Sequence, residues 1–276
     1  YFKDEYLCGR TPNPCIACNR YVKFEALLNK AVGLGADYIA TGHYARLEYN
    51  REKGRYTLRR SLDQKKDQTY VLYGMTQQQL ARTLMPLGGY TKEQVRKMAK
   101  ELGLSVAFKA ESQEICFVLD DNYRNFLREA APEIKPGPFL NLQGEVIGRH
   151  QGIPFYTIGQ RRGLGVSAGE RLYVINIDQE RNTITLGPEE AVWGSDLIAT
   201  DLNLVLYDQI EEAIEVNAQI RYNARPQPAT LRLINNGQLH VHFQKPQRSI
   251  TPGQAVVFYQ GEYLVGGATI ERVGNE

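Results

Sequence analysis

Four cysteines occur in the 276 residues; Cys8, Cys15 and Cys18 crowd one end, and Cys116 stands far downstream in Ile115-Cys-Phe117. A thiolate is a nucleophile, and two thiols that meet in space can exchange with a disulfide or a persulfide. A meeting of Cys18 with Cys116 would therefore carry sulfur chemistry. Cys15 and Cys18 form a C-x-x-C, which reads as half a zinc site, a redox pair, or a nucleophile with a neighbour. Zinc would need Cys8 and His43 to complete an irregular ligand set, because no second C-x-x-C occurs. A redox pair usually opens a helix after a strand, whereas Pro12 and Pro14 point to a loop immediately upstream. Cys18, near a helix start with Arg20 and Lys23 close by, has a setting that favours the thiolate. The bland reading of each is a small buried thiol. For Cys116 that means a buried strand or turn residue, although the polar Glu111-Ser-Gln-Glu114 before it suits a loop that opens to pass sulfur.

His43, in Thr41-Gly-His43, reads as a structural histidine or a contact residue, and Gly42 as a place where a ligand can approach the backbone. Gly152 to Gly165 mixes Phe155, Tyr156, Gln160, Arg161 and Arg162 with glycine, which suits either RNA or a turn between strands. No Walker-type phosphate loop occurs.

The elements that must position these groups change character along the chain. Phe24, Leu27, Leu28 and Ala31 fall at helical spacing, predicting a helix over about 22–32 that follows the cysteine pair and stops at Gly33 and Gly35. Tyr38-Ile39-Ala40 predicts a short buried strand leading into Gly42, an α/β order in which ligands sit at strand ends. Tyr56 to Arg60 reads as a strand. Thr76 with Gln79 and Thr91 with Gln94 predict two capped helices, the second with a stripe of Val95, Met98, Ala99 and Leu102. After a helical stretch at 123–130, Pro132 to Pro138 opens a β-rich region. There, 172–178 with 183–186, and 231–234 with 239–243 across Asn236-Gly237, read as hairpins of a small barrel or sandwich.

With 42% hydrophobic and 23% charged residues the chain is an ordinary globular one of two or three domains, without a signal peptide pattern or a membrane-length apolar run. The cytoplasm with reduced thiols is the expected setting, and no membrane partner. The net charge of +2 is uninformative, but 216–261 holds no acid while containing Arg221, Arg225, Arg232, Lys245 and Arg248. That block is either an RNA surface or a basic sheet face balanced by the acidic segment before it.

Taken in order, Gly-Arg-Thr-Pro-Asn-Pro-Cys-x-x-Cys-Asn, Ala-Thr-Gly-His-Tyr-Ala-Arg, Lys-Lys-Asp-Gln-Thr-Tyr, Ile-Cys-Phe, Tyr-Thr-Ile-Gly-Gln-Arg-Arg-Gly-Leu-Gly and Thr251-Pro-Gly-Gln254 resemble the tRNA-specific 2-thiouridylases of the PP-loop ATP pyrophosphatase class. The resemblance implies an α/β fold. A partial PP-loop, adenine nucleotide alpha hydrolase-like catalytic domain (1–117) is followed by a β-rich central domain (118–197) and a C-terminal β-barrel that contacts tRNA (198–276). It implies a transferase that replaces the 2-oxygen of the wobble uridine with sulfur after ATP, with Mg in attendance, adenylates that oxygen. Cys116 would carry the persulfide and Cys18 would assist its release by forming a disulfide. Gly42 would contact the nucleotide. Asn13, Pro14 and Cys15 would surround the target base, some relatives having Asp in place of Cys15. His43, Lys66, Asp67, Gln68, Arg221, Tyr222 and Gln254 would contact tRNA. A cysteine desulfurase or a relay protein would donate the persulfide, in the cytoplasm or an organellar matrix, and no tightly bound metal is implied. The family's Ser-Gly-Gly-x-Asp-Ser loop does not occur here, so the chain is expected to begin downstream of it and to bind ATP weakly. Two other readings are a non-catalytic RNA binder of the same fold and a zinc-stabilised structural protein.

Overall fold

The computed structural model describes residues 1–108, 115–118, 123–131, 134–166, 169–234 and 237–274. The polar flank 111–114, Pro132 at the expected boundary and Asn236 of the hairpin turn lie outside the described residues. The fold is a partial α/β domain, a β-rich middle region and a C-terminal barrel.

Helix α1 (Phe2–Leu7) is followed by one continuous helical run of α2 (Pro14–Ala17), a π-type segment (Cys18–Leu27) and α3 (Leu28–Gly33). The run therefore starts well before the expected position, and the cysteine pair lies inside it rather than ahead of it. The reason is local. Asn13 caps the helix, accepting from the backbone N–H of Cys15 at 3.1 Å and of Ile16 at 3.4 Å, and Pro14 takes the first helical position, where its missing N–H costs nothing. Phe24 and Leu28 are buried as expected, contributing about 2 kcal/mol each, but Leu27 is exposed because π winding turns it off the apolar face.

Strand β1 (Ile39–Ala40) is shorter than expected, and Tyr38 and Ala40 are exposed. The hairpin β2 (Ala45–Asn50) and β3 (Arg55–Arg60) comes next, of which the first strand has no clear signal in the sequence. Both capping boxes form, on α4 (Gln77–Ala81) and α5 (Lys92–Glu101), and β4 (Thr83–Leu84) pairs in parallel with β1. The stripe on α5 does not enter a core: none of its residues is fully buried and Leu102 is exposed.

Helix α6 (Tyr123–Ala130) leads to a four-stranded sheet of β5 (Gly137–Leu140), β6 (Val146–His150), β7 (Tyr173–Asp178) and β8 (Thr183–Gly187) in the order β6-β5-β8-β7. Its core includes Phe139, Phe155 and Val174, and it takes in Tyr6 of α1, which stacks on Tyr123. The remaining strands are β9 (Trp193–Leu204), β10 (Ile214–Gln219), β11 (Gln227–Leu233), β12 (Leu239–Arg248), β13 (Ala255–Gln260) and β14 (Tyr263–Val273). They run β13-β10-β11-β12-β9-β14, and the β13–β14 pairing closes a six-stranded antiparallel barrel with no free edge. Leu197, Leu231, Val241, Phe258 and Ile270 fill it. The β2–β3 hairpin extends this sheet through Arg59 opposite Tyr263, while Tyr70, Leu72 and Tyr73 pack on the outside of the barrel against Val257, Tyr259 and Leu264. The amino-terminal layer and the barrel thus share one core.

Candidate active site and RNA-facing cleft

The loop ahead of Asn13 is clamped from two sides. Gln254 donates from Nε2 to the Thr11 carbonyl at 2.8 Å, and the Thr11 N–H donates to the Pro252 carbonyl at 2.9 Å. From the middle region, Thr157 Oγ1 lies 3.2 Å from Thr11 Oγ1. A Cβ on Gly253, whose φ is +88°, would come within 2.9 Å of the Thr11 nitrogen, so the turn needs glycine. Gln254 therefore acts here as a brace for the loop that leads into Asn13, Pro14 and Cys15.

Cys15 and Cys18 are three residues apart on the helical run and share one side of it. Asn19, buried, anchors that run by donating from Nδ2 to the Val71 carbonyl at 3.1 Å. Cys116 sits exposed on a turn closed by the Val118 N–H to the Ile115 carbonyl, with Phe117 packed edge-on against Phe2 and Phe126. The turn brings Cys116 into electrostatic reach of Cys15. The Cys15 thiol is pushed up, first by desolvation, then by Cys116, with Lys23 acting in the opposite sense and Cys18 adding to the rise. Cys15 therefore lies within electrostatic reach of both other thiols. Cys18 is a turn inside the helical run rather than at its start, and the Arg20 guanidinium is ion-paired with Asp201 of β9, so the expected setting for Cys18 is corrected on both counts. Among the described residues, Lys23 is the cation that acts on Cys15.

Gly42 follows β1 in an exposed turn, and a Cβ there would meet only Leu87 Cδ1 at 3.6 Å. His43 is buried, with Nδ1 3.0 Å from Thr41 Oγ1 and Nε2 3.5 Å from Lys23 Nζ. Burial, reinforced by the Lys23 charge, lowers its pKa to about 4. The neutral ring accepts from Lys23 and donates to Thr41. Because the unfolded histidine titrates near 6.5, the unfolded chain takes up a proton that the folded one refuses. Stability from this ring is thus full above pH 6.5 and is lost as pH falls toward 4, by up to about 3 kcal/mol. Unfolding midpoints measured between pH 4 and 7 should fall less steeply in His43→Asn than in the parent; parallel profiles would contradict a buried neutral ring.

Asp67 and Gln68 work inward. Asp67 Oδ1 accepts from the Ser61 N–H at 2.8 Å and Oδ2 from Thr69, and burial raises its pKa. Gln68 grips Tyr44 through both backbone and side chain at 2.9 Å, which fixes the turn carrying Gly42 and His43. Lys66 is half-buried beside them. Tyr222 donates from its hydroxyl to the Asp67 carbonyl at 3.2 Å, stands edge-on to the buried Tyr70, and lies within electrostatic reach of Cys15. Arg221, exposed, donates from Nη2 to the Arg248 carbonyl at 2.9 Å. Its pKa is lowered by desolvation and by Arg248, leaving two cations side by side. A cleft of about 420 Å³ opens here, lined by Arg60, Lys65, Asp67, Tyr70, Tyr222 and Arg225.

Sequence reading overlooked Gln219. Gln219, buried at the end of β10, donates from Nε2 to the carbonyls of Arg221 at 3.0 Å and Tyr222 at 2.7 Å, and so shapes the turn that presents both. Its place two residues before Arg221 was the only signal. Among the described residues no group of three or more His, Cys, Asp or Glu side chains converges as a metal site, and no helix is long and apolar enough to cross a membrane.

Three family models match consecutive parts of the chain: a tRNA methyl transferase HUP domain over 1–120, a tRNA methyl transferase PRC-barrel domain over 124–188, and an aminomethyltransferase beta-barrel domain over 195–270. The tRNA-specific 2-thiouridylase MnmA of Pelotomaculum thermopropionicum is 72% identical over 275 residues, covering 100% of this chain and 75% of the relative. The chain belongs to the tRNA-specific 2-thiouridylase family. Members from Desulforamulus reducens and Carboxydothermus hydrogenoformans are 62% and 58% identical, each over 99% of this chain and 74% and 75% of their own lengths. The chain thus spans about three quarters of these 2-thiouridylases.

Proposed function

We propose that the protein transfers sulfur to carbon 2 of the wobble uridine of tRNA. The observation that carries this reading is the approach of Cys116 to the helix face bearing Cys15 and Cys18, beside Tyr222 and its cationic cleft. Cys116 holds the persulfide. The Cys18 thiolate attacks the Cys116 sulfur, the sulfur–sulfur bond of the persulfide breaks, and the outer sulfur leaves at the sulfide level and bonds to carbon 2 as the bond from that carbon to its activated oxygen breaks, the oxygen departing with the nucleotide phosphate that activated it. The two cysteines are left as a disulfide, and a thiol reductant returns the two electrons. Cys15, with a raised pKa, stays a protonated neighbour of the base rather than a third nucleophile.

Carbon 2 carries an oxygen that sulfur cannot displace unaided, and ATP, when bound, supplies its activation. The turn after β1 fits one side of a nucleotide, since Gly42 is exposed and open to approach, while the polyphosphate has no glycine-rich cradle in these residues. Asn13, Pro14 and Cys15 frame the base, and His43 fixes Lys23 behind them. Arg221 and Tyr222 meet the RNA directly. Lys66, between the cleft-lining Lys65 and Asp67, meets the same RNA, while Asp67, Gln68 and Gln254 hold the RNA-facing turns in place. In this reading residues 1–117 do the chemistry, 118–197 bridge, and 198–276 hold tRNA, in the cytoplasm, with a desulfurase or relay protein as sulfur donor.

A tRNA transcript with a wobble uridine, incubated with the protein, ATP and a persulfide donor, should yield 2-thiouridine among its digested nucleosides. Binding without any thiolated nucleoside would favour the non-catalytic RNA binder instead.

A further inference from the structure

Between β6 and β7 the chain makes a turn at 157–165 whose two adjacent arginines have no role in the site described above. Arg161 and Arg162 are exposed, and neither guanidinium forms a hydrogen bond or an ion pair among the described residues. Yet the turn beneath them is rigidly built. Gln160 accepts from the Thr157 N–H at 3.2 Å and donates from Nε2 to the Arg162 carbonyl at 2.9 Å. Its backbone pairs with Val174 of β7, as does the N–H of Gly159 at 2.8 Å. Gly159 and Gly163 both have positive φ, and a Cβ on Gly159 would lie 2.0 Å from Ser249 Oγ. Only glycine lets the turn seat this closely on the barrel.

That seat has a consequence for charge. Ser249 adjoins Arg248, whose carbonyl holds Arg221, and Thr157 touches Thr11 in the loop that leads to Cys15. The backbone that carries the two free guanidinium groups is thereby fixed to the same frame as Arg221 and as Arg248, which is itself ion-paired with Glu189, on the far side of a domain junction. Two unpaired arginines on a braced turn that is seated beside Arg248 and Arg221 have the chemistry of a phosphate-binding element, because guanidinium groups take phosphate oxygens by two parallel hydrogen bonds.

We propose that Arg161 and Arg162 form a second RNA-backbone site, binding phosphates of the tRNA strand that leaves the Arg221–Tyr222 cleft. This rests on the proposed function, and the experiment separates the two. Binding of the tRNA transcript is measured over a range of salt for the parent protein, Arg161→Ala/Arg162→Ala, Arg161→Lys/Arg162→Lys and Arg181→Ala. Arg181 lies beyond the other end of β7, next to Asp178, and serves as the charge control.

The double alanine variant should bind about tenfold more weakly, and the slope of log affinity against log salt should shrink by about 1 to 2, as expected for two lost phosphate contacts. The double lysine variant should keep most of the slope, and Arg181→Ala should match the parent. Thermal midpoints should not move, since both side chains are exposed. If the parent binds tRNA and the double alanine variant equals it in affinity and slope, this turn is not a phosphate site. A parent that binds no tRNA would remove the proposed function and this inference together.

Discussion

Serine at Cys116 or at Cys18 should reduce formation of 2-thiouridine by at least about a thousandfold, because each variant deletes a reacting atom rather than a binding contact. The hydroxyl cannot hold a persulfide at position 116, and it is far too weak an acid to open one from position 18. Binding of tRNA should be unchanged in both, since neither sulfur anchors RNA in this account. Cys15→Ser separates proximity from chemistry. Its sulfur lies within electrostatic reach of Cys116, but its pKa is raised, so serine there should leave thiolation within a few fold of the parent. Nucleoside analysis of the three variants under identical donor and ATP supply decides the matter. Normal thiolation by either Cys18→Ser or Cys116→Ser would overturn the assignment, and loss at Cys15 equal to that at Cys18 would exchange their roles.

The second large effect is structural and reaches the site through one backbone contact. Gly88 is buried where the chain leaves β4, and a Cβ there would stand 1.9 Å from the Ala45 carbonyl oxygen and 2.9 Å from the Arg46 nitrogen. Those are backbone atoms of β2, one residue beyond the turn that carries Gly42, His43 and Tyr44, and they cannot swing aside as a side chain would. Gly88→Ala should therefore destabilise the protein by about 3 kcal/mol and shift the turn that Gln68 grips. Gly89 provides the internal comparison, because a Cβ on it meets nothing within 4 Å. Gly89→Ala should be close to neutral. Urea unfolding midpoints of the two variants test this, and equal midpoints would mean that β2 is free to move away from Gly88.

Local signals carried most of the elements. Each threonine–glutamine capping box marks a helix start in the sequence and forms in the structure, because both partners lie within four residues of one another. The hairpins β7–β8 and β11–β12 were legible for the same reason, through alternation and turn residues. The start of the long helical run was missed although its signal was present: Asn13 followed by Pro14 is a cap and a first helical position, and the prolines invite a loop reading instead. Barrel closure between β13 and β14, and the docking of the β2–β3 hairpin on β14, depend on distant pairings that no local pattern encodes.

The site divides in the same way. Cys15, Cys18, Lys23 and the glycine turn are visible as residue types at short spacing, whereas the approach of Cys116 and Tyr222 to Cys15 follows only from the packing of three regions. Asp67 and Gln68 show the opposite case. Their motif drew attention to them, and the fold spends their side chains on Ser61, Thr69 and Tyr44.

The central claim is that Cys116 delivers sulfur and Cys18 releases it, and disulfide mapping after a single turnover tests it most directly. The protein is loaded with persulfide, freed of excess donor, mixed with ATP and tRNA in the absence of reductant, and digested for peptide mass analysis. The account predicts that a disulfide joining Cys18 to Cys116 appears in proportion to the 2-thiouridine formed, and that Cys18→Ser retains the extra sulfur on Cys116. Thiolated tRNA accompanied by a Cys15–Cys116 disulfide, or by no disulfide at all, would contradict it.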